Sequence, residues 1–350
     1  MVKKFLVLVL VFVLCLSSAV IAYAAEDNTL NIELNGKSIG TPAYVLEGEL
    51  FLPLRVVSEG LGFDVQWSQE KKEISVSKGI KKISLYLSNY QVKVNDHESY
   101  LTSGYRNVEG RTYLRQDFFS DNLGLKVTWD KAGNKVTLQE IDENPIVINT
   151  KKEISDTKTL DLTLQYPELQ GLANAEVQNK LNSLFEKLAA DAKNEGLENE
   201  KYIVPEQIAR NIKAETYFNY QVKYNWNGLL SIVFSDYQYR GGAHGLTVQS
   251  SYTFDLKTGA ELKIKDLFKS DFDYISMISS EVKKQMGERG MTVLLAPFNF
   301  IKADQDFYLS NNAVVVYFQA YEYLPYAYGI PEFYIDFQLV DGSVDPKLGL

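Results

Sequence analysis

The first half of the chain repeats itself once, without a gap. Residues 51–76 read FLPLRVVSEGLGFDVQWSQEKKEISV and residues 113–138 read YLRQDFFSDNLGLKVTWDKAGNKVTL, so equivalent positions lie 62 residues apart. Each copy reads as a short strand, a short helix ended by Leu-Gly, and a hairpin of alternating apolar residues. The repeat therefore predicts a small module of two β-hairpin and short-helix units over residues 30–140.

Six residues recur at equivalent positions of the two copies. They are Leu52, Ser58, Leu61, Gly62, Val65 and Trp67, which recur as Leu114, Ser120, Leu123, Gly124, Val127 and Trp129. This pattern resembles the copper amine oxidase N-terminal-like domain of secreted proteins from Firmicute-type bacteria. The resemblance implies a noncatalytic α+β module, often a stalk or a wall-associated unit.

The copper site of a copper amine oxidase needs three histidine ligands. Beyond the N-terminal apolar run the chain has only His97 and His244, one in each half. A three-histidine copper site cannot be assembled from two histidines. We therefore predict no metal site and no cofactor.

Trp67 and Trp129 end the alternating strands of the two copies. Because they continue the apolar alternation, core packing is the favoured interpretation. A flat platform for a sugar ring is the alternative.

The N-terminus predicts export. Lys3 and Lys4 precede an apolar run from Phe5 to Ile21, and a small-x-small site follows at residues 22–24. This order is typical of a secretory signal peptide, so we predict a signal over residues 1–24 and a secreted or cell-wall-associated mature protein. If the signal is not cleaved, the same run anchors the protein in a membrane. The one cysteine, Cys15, lies inside this run, so the mature chain is expected to contain no disulfide.

The charge pattern argues against nucleic acid as a partner. The chain contains no basic tract, and residues 146–350 hold 20 basic and 27 acidic side chains, a net charge of −7. Nucleic-acid binding relies on clustered lysine and arginine. An acidic domain favours a cationic partner through steering, although the same charge also serves solubility.

Residues 146–345 predict a second α+β domain, with an antiparallel sheet and two main helices. It follows a polar segment, residues 141–158, that we interpret as a linker running into an edge strand near Ile146–Ile148. A strand from Asp161 is expected to end at Pro167. Asn174 is placed to cap the first helix and Ser270 the second.

The stretch YQYRGGAHG, residues 237–245, lies between two alternating segments. Glycine between two strands predicts a hairpin or bulge, whereas a phosphate-binding loop would open a helix. A triad of Ser251, His244 and Asp236 can be drawn, but Ser251 does not stand in a G-x-S-x-G nucleophile elbow, since residues 249–253 read QSSYT. A structural turn is favoured, and part of a ligand surface is the alternative. Its candidate residues are Tyr237, Tyr239, Arg240 and His244.

A second candidate binding segment is the tyrosine-rich run from Tyr317 to Tyr334. Tyrosine offers a large amphipathic contact area at low entropic cost. Strand alternation requires that about half of these side chains are buried. The candidate ligand residues are Tyr321, Tyr323, Tyr326 and Tyr328.

Three stretches of the second half occur in a recognisable order. They are YQVKYNWNGLLSIVFSDYQYRGGAHG, then FDLKTGAELKIKDLF, then VVVYFQAYEYLPYAYGIPEFYI. Together they resemble the paired domains of unknown function found in the extracellular part of RsiV-type anti-sigma factors and in PdaC-type peptidoglycan deacetylases of bacilli. The resemblance implies binding at a Gram-positive cell envelope, with a lysozyme-like muramidase or peptidoglycan as partner.

Two departures from those families shape the expected function. Only residues 1–4 precede the apolar run, so we expect no sigma-binding segment, and we likewise expect no separate deacetylase domain. The sequence therefore predicts a noncatalytic envelope protein that binds a protein or a glycan. One alternative is a cell-wall glycan-acting enzyme that uses an Asp/Glu pair. The other is a structural spacer.

Overall fold

The computed structural model describes residues 29–46, 48–101, 104–130 and 133–350. The predicted signal peptide lies outside these ranges. Within them the protein combines helices with several antiparallel sheets, which confirms the predicted α+β class. No helix in the described ranges is both long and apolar enough to cross a bilayer.

The first half consists of strands joined by tight turns, with two short helices. The strands are β1 (Thr29–Leu34), β2 (Lys37–Ser38), β3 (Ala43–Leu46), β4 (Glu49–Pro53), β5 (Asp64–Ser68), β6 (Glu73–Lys78), β7 (Lys81–Tyr86), β8 (Gln91–Val94), β9 (His97–Tyr100), β10 (Arg106–Val108), β11 (Arg111–Arg115), β12 (Leu125–Asp130) and β13 (Lys135–Glu140). The helices are α1 (Leu54–Gly60) and α2 (Gln116–Leu123). One sheet follows the order β10-β11-β4-β3-β1-β13-β12, with β2 paired to β1, and a second follows β5-β6-β7-β8-β9.

The two sequence repeats meet each other through a pair of equivalent strands. Strands β4 and β11 pair antiparallel, with Leu52 opposite its own equivalent, Leu114. The salt bridge from Lys78 to Glu140, Nζ to Oε1 3.0 Å, also joins equivalent positions of the two copies. Both copies contribute to one hydrophobic core. The repeat therefore forms a single packed unit.

The two tryptophans of the repeat have different environments. Trp129 packs partly buried against the core of the first half, as predicted. Trp67 is 44% exposed, so core packing was the wrong interpretation for this residue. Its Nε1 donates to Gln69 Oε1 at 3.2 Å. Val65 is buried on the same strand, so the apolar alternation ends before Trp67.

The second half contains a six-stranded sheet, a three-stranded sheet and three helices. The strands are β14 (Val147–Asp156), β15 (Leu160–Gln170), β16 (Ala214–Trp226), β17 (Leu229–Tyr239), β18 (Leu246–Asp255), β19 (Ala260–Leu262), β20 (Phe307–Leu309), β21 (Ala313–Tyr317) and β22 (Glu332–Asp336). The helices are α3 (Ala175–Glu200), α4 (Pro205–Ala209) and α5 (Tyr274–Glu288). Strands β14 to β19 pair in chain order, as do β20 to β22.

Three predicted boundaries in this half were wrong. Most of the expected polar linker is the ten-residue strand β14, whose polar side chains suit an exposed sheet edge. Strand β15 continues through Pro167. Its pairing with β16 stops at Leu164, so no strand on that side requires a backbone N–H from residue 167, which proline lacks. Helix α5 is capped by Asp273 rather than Ser270, since the Asp273 carboxylate accepts from Ser276 N. Asn174 caps α3 as predicted.

The six-stranded sheet separates two layers. Helix α3 covers one face, where Phe185 packs against Phe234 at 5.7 Å between ring centroids. The three-stranded sheet lies on the opposite face, where Ser251 Oγ donates to Phe307 O at 2.6 Å. The first half approaches the same face, where Asn219 Nδ2 donates to Glu98 O at 2.9 Å. The buried core of the first half is separate from those of the second, which supports our proposal of two folding units, residues 30–140 and 146–345.

Candidate functional site: an aromatic surface beside the glycine loop

The glycine loop is the connection between β17 and β18, a hairpin as predicted. Gly241 adopts a φ of +84°, which L side chains rarely tolerate. A Cβ on Gly245 would lie 2.4 Å from the ring of Tyr237, so the absence of a side chain lets that ring pack on the backbone. Tyr239 Oη donates to Gly242 O at 3.0 Å and closes the turn.

The hairpin brings His244 against the tyrosine-rich run from β21 to β22. The His244 ring stacks on Tyr326 with centroids 4.5 Å apart, and Tyr326 stacks on Tyr321 at 5.5 Å. Tyr326 Oη donates to Gly245 O at 3.2 Å, which fixes the run to the hairpin. Tyr321 is 47% exposed and Tyr326 is 40% exposed. We call His244, Tyr321 and Tyr326 the aromatic surface.

The other predicted ligand residues lie around this surface or beneath it. Tyr237 stacks on Tyr217 at 5.7 Å, and the Arg240 guanidinium lies 5.6 Å from the ring of Tyr202. Tyr328 is 38% exposed in a 3₁₀ turn, residues 326–328. Tyr323, by contrast, is a partly buried core residue, because its ring packs edge-on against Phe318 at 4.8 Å. Tyr323 therefore stays a predicted ligand residue, but it is not one of the exposed tyrosines of the run.

Polar groups border the aromatic surface at Tyr217. Tyr217 Oη donates to Asp161 Oδ2 at 2.9 Å. Burial and this hydrogen bond raise the pKa of Tyr217, so its phenol stays protonated at physiological pH. Burial, with the nearby charge of Asp161, also raises the pKa of Glu215. This border therefore presents a protonated phenol and two carboxylates, Asp161 and Glu215, on neighbouring strands.

An exposed apolar loop next to the tyrosine run did not emerge from the sequence. Val293 is 61% exposed, Leu295 54% and Phe300 57%. The backbone N–H of Leu295 donates to Tyr323 O at 2.8 Å, which holds this loop beside the tyrosine run. Helix α5 ends at Glu288, before these residues. An apolar run that follows the glycines at the end of the helix was the sequence feature that could have predicted this loop.

The catalytic triad drawn from the sequence does not form. Ser251 Oγ is occupied by the Phe307 carbonyl, and His244 Nδ1 lies 2.8 Å from Gly245 O. Asp236 accepts instead from Gln238 Nε2 at 2.7 Å. Across the described ranges, no group of three His, Cys, Asp or Glu side chains is arranged to hold a metal ion.

Three family models match successive parts of the chain. They are the copper amine oxidase N-terminal domain at residues 33–138, deacetylase PdaC at residues 153–247, and a protein of unknown function, DUF3298, at residues 265–338. Their order is the one predicted from the repeat and from the second half.

Curated relatives include two proteins of Bacillus subtilis. The chain is 26% identical over 175 residues to the peptidoglycan-N-acetylmuramic acid deacetylase PdaC, covering 48% of this chain and 36% of PdaC. It is 30% identical over 198 residues to the anti-sigma-V factor RsiV, covering 53% of this chain and 65% of RsiV. A protease inhibitor of Brevibacillus choshinensis is 29% identical over 138 residues, covering 38% of this chain and 42% of the inhibitor. The chain thus spans from about a third to just under two thirds of the length of these relatives.

Solved structures of the DUF3298 family show a distant likeness. A member from Bacteroides fragilis matches with a TM-score of 0.41 at 18% identity, over 58% of this chain and 95% of that one. A member from Pseudomonas aeruginosa matches with a TM-score of 0.42 at 17% identity, over 59% and 97%. The resemblance predicted from the sequence is confirmed by the family models: this chain joins a copper amine oxidase N-terminal domain to the PdaC and DUF3298 domains.

Proposed function

We propose that this protein is an exported, noncatalytic component of the cell envelope that binds a partner protein through the aromatic surface. The observation that carries the proposal is the stacked series His244, Tyr326 and Tyr321, which remains exposed although its members pack on one another. Tyrosine and histidine held rigid in this way lose little entropy on binding.

The neighbouring loop favours a protein over a glycan at this surface. Sugar rings stack on aromatic faces, whereas Val293 and Leu295 add exposed aliphatic side chains beside the tyrosine run. Contiguous exposed apolar groups mark protein–protein contact sites. A lysozyme-like muramidase is the first candidate, since the resemblance to RsiV-type proteins suggests it and the −7 charge of residues 146–350 suits a cationic partner. Peptidoglycan at the same surface is the second candidate.

Contacts of the two acidic side chains of helix α2 that line a cleft between the two halves support the noncatalytic proposal. An enzyme of the Asp/Glu type needs one carboxylate free to donate a proton and another free to act as base or nucleophile. Asp117 and Asp121 lie on one helix, α2, and face the second half. Asp117 forms a salt bridge with Arg115, and Asp121 one with Lys223 at 2.7 Å. Both carboxylates are therefore committed to cations.

Surface plasmon resonance tests the proposal. The chain without residues 1–24 is immobilised and lysozyme is passed over it. Saturable binding at about 10 μM or below, near −7 kcal/mol, is expected. Binding should weaken in Tyr326→Ala and persist in Tyr100→Ala, a 64% exposed tyrosine in the first half. Absence of binding at that concentration rejects a muramidase as the partner, and equal affinity of the two variants rejects the surface.

A further inference from the structure

A cleft of about 750 Å³ lies between the two halves, away from the aromatic surface. Strands β15 and β16 pair only from Leu160 opposite Ala214 to Leu164 opposite Phe218. Beyond that point the strands separate. One wall of the cleft is formed by residues 146–150 and 220–225 of the second half, and the other by β8, β9 and α2 of the first. Its volume falls in the range of small-molecule sites.

The charged side chains of the cleft balance one another. Its lining holds four cations and four carboxylates, Lys81, Lys82, Arg115 and Lys223 against Asp96, Asp117, Asp121 and Glu143. Three of these cations are already bound to lining carboxylates, in the pairs Lys81–Glu143, Arg115–Asp117 and Lys223–Asp121. A lining of this kind offers no net charge to attract an ionic ligand.

His97, also in the lining, does not change this balance. Its Nε2 lies 2.8 Å from Asn219 Oδ1, and its ring lies 4.4 Å from that of Tyr220. Burial lowers the pKa of His97, with Asn219 opposing the shift, so the imidazole is neutral at physiological pH.

Neutral hydrogen-bonding groups are available in the same lining. Among the described residues, the side-chain amides of Asn149 and Gln221 have no hydrogen-bond partner, although both are half-buried. Each amide offers two donors and an acceptor. The hydroxyls of Thr150 and Tyr220, also in the lining, lie 2.8 Å apart. At the rim, Tyr100 is 64% exposed and presents a flat ring.

We propose that this cleft is a second binding site, which takes a neutral oligosaccharide. Sugar hydroxyl and acetamido groups both donate and accept hydrogen bonds, as carboxamides do, and the apolar face of a pyranose ring packs on tyrosine. The site is separate from the aromatic surface proposed for the protein partner. The two halves of the molecule act together here, since each contributes one wall.

Isothermal titration calorimetry of the full chain with tetramers of different charge tests this proposal. The neutral tetramer of N-acetylglucosamine is expected to bind with a Kd of about 1 mM or tighter. Its deacetylated cationic counterpart and the anionic tetramer of galacturonic acid should bind at least about tenfold more weakly. No binding of the neutral tetramer, or equal binding of all three, overturns the proposal. The same titration with tetra-alanine, a peptide with no net charge, checks selectivity for sugar. If tetra-alanine binds and the N-acetylglucosamine tetramer does not, the proposal is overturned as well.

Variants locate the site and separate it from the proposed protein surface. The double variant Asn149→Ala/Gln221→Ala removes two hydrogen-bonding groups and should weaken sugar binding about tenfold. Tyr100→Ala tests the rim independently, and it should not disturb folding because Tyr100 is exposed. Tyr326→Ala should leave sugar binding unchanged. If Tyr326→Ala weakens sugar binding, the sugar binds at the aromatic surface and the proposal is overturned. If neither the Asn149→Ala/Gln221→Ala variant nor Tyr100→Ala weakens sugar binding, the proposal is overturned as well. Both outcomes hold whatever the lysozyme result.

Discussion

Lys223 of β16 donates to the carboxylate of Asp121 of α2, with Nζ and Oδ2 2.7 Å apart. Their side chains are 12% and 18% exposed. The pair joins the two halves of the molecule in the lining of the cleft. Burial raises the pKa of Asp121 to about 6, with Lys223 opposing the shift. Burial also opposes the charge on Lys223, but Asp121 and Glu332 outweigh it and hold that pKa above its usual value.

We predict that Lys223→Met lowers the free energy of unfolding by about 2–4 kcal/mol, because it leaves a buried carboxylate without its cation. Adding Asp121→Leu to that variant should recover most of the loss. Urea unfolding measures both. The control is Lys187→Met, which breaks an exposed pair with Asp191 and should cost about 0.5 kcal/mol or less. Equal losses in Lys223→Met and the control would contradict a structural role for the buried pair.

Tyr326→Ala should weaken lysozyme binding by about 2 kcal/mol or more, as expected of a central aromatic anchor. The change should appear in the off-rate, since contacts formed after encounter govern dissociation. Tyr323→Ala is predicted to act differently. Its ring packs against Phe298 and Phe318, so this variant should lower the melting temperature. A larger effect of Tyr323→Ala than of Tyr326→Ala on the off-rate, at a temperature where both are folded, would refute the assignment.

Two glycines of the loop provide a matched pair. Gly245→Ala places a Cβ about 2.4 Å from the Tyr237 ring, whereas Gly242→Ala meets nothing within 4 Å. We expect Gly245→Ala to cost about 1–3 kcal/mol of stability through steric overlap. It should also weaken lysozyme binding, because His244 is the adjacent residue and the Tyr326 hydroxyl donates to Gly245 O. Gly242→Ala should stay within about 0.5 kcal/mol of the parent in thermal unfolding. A neutral Gly245→Ala would show that the loop repacks freely.

We predict that the stability of the protein depends on pH through the carboxyl group of Asp236. Burial raises its pKa to about 6, the charge of Glu195 adds to the shift, and Gln238 opposes it. Between about pH 4 and pH 6 the folded state therefore holds a proton that the unfolded state has lost, so stability should fall as pH rises through this window. Asp236→Asn removes this dependence and should flatten the profile of melting temperature against pH. Asp121 contributes in the same direction, so some slope should remain. An unchanged slope would contradict the assignment to Asp236.

Ionic strength should affect the association of a cationic muramidase more than its dissociation. The −7 charge of residues 146–350 accelerates encounter by long-range attraction. The Debye length is about 10 Å at 0.1 M salt and about 3 Å at 1 M, so the on-rate should fall steadily over that range. Resonance kinetics at several salt concentrations measure it. A constant on-rate with a rising off-rate would exclude charge steering.

Local patterns in the sequence were sufficient to predict many of the strands and helices and to recognise the related families. The repeat, with its 62-residue offset, predicted two equivalent hairpin units, and alternation and turn residues predicted the hairpin at the glycine loop. Asn174 was recognised as a helix cap because capping depends on the next few residues alone. The end of β15 was not predictable in this way, since Pro167 is tolerated only because β16 has already separated from it.

The tertiary structure decided which side chains face solvent and which meet. Alternation assigns tyrosines to two faces of a strand, but it does not apply to the irregular run in which Tyr321 and Tyr326 are exposed and Tyr323 is partly buried. The pairing of Leu52 with Leu114 and the contact of Lys223 with Asp121 join residues 62 and 102 positions apart. Such long-range contacts depend on how whole elements pack against one another, and no short stretch of sequence encodes that packing. The cleft belongs to the same category, because its two walls come from halves whose relative placement only the folded chain defines.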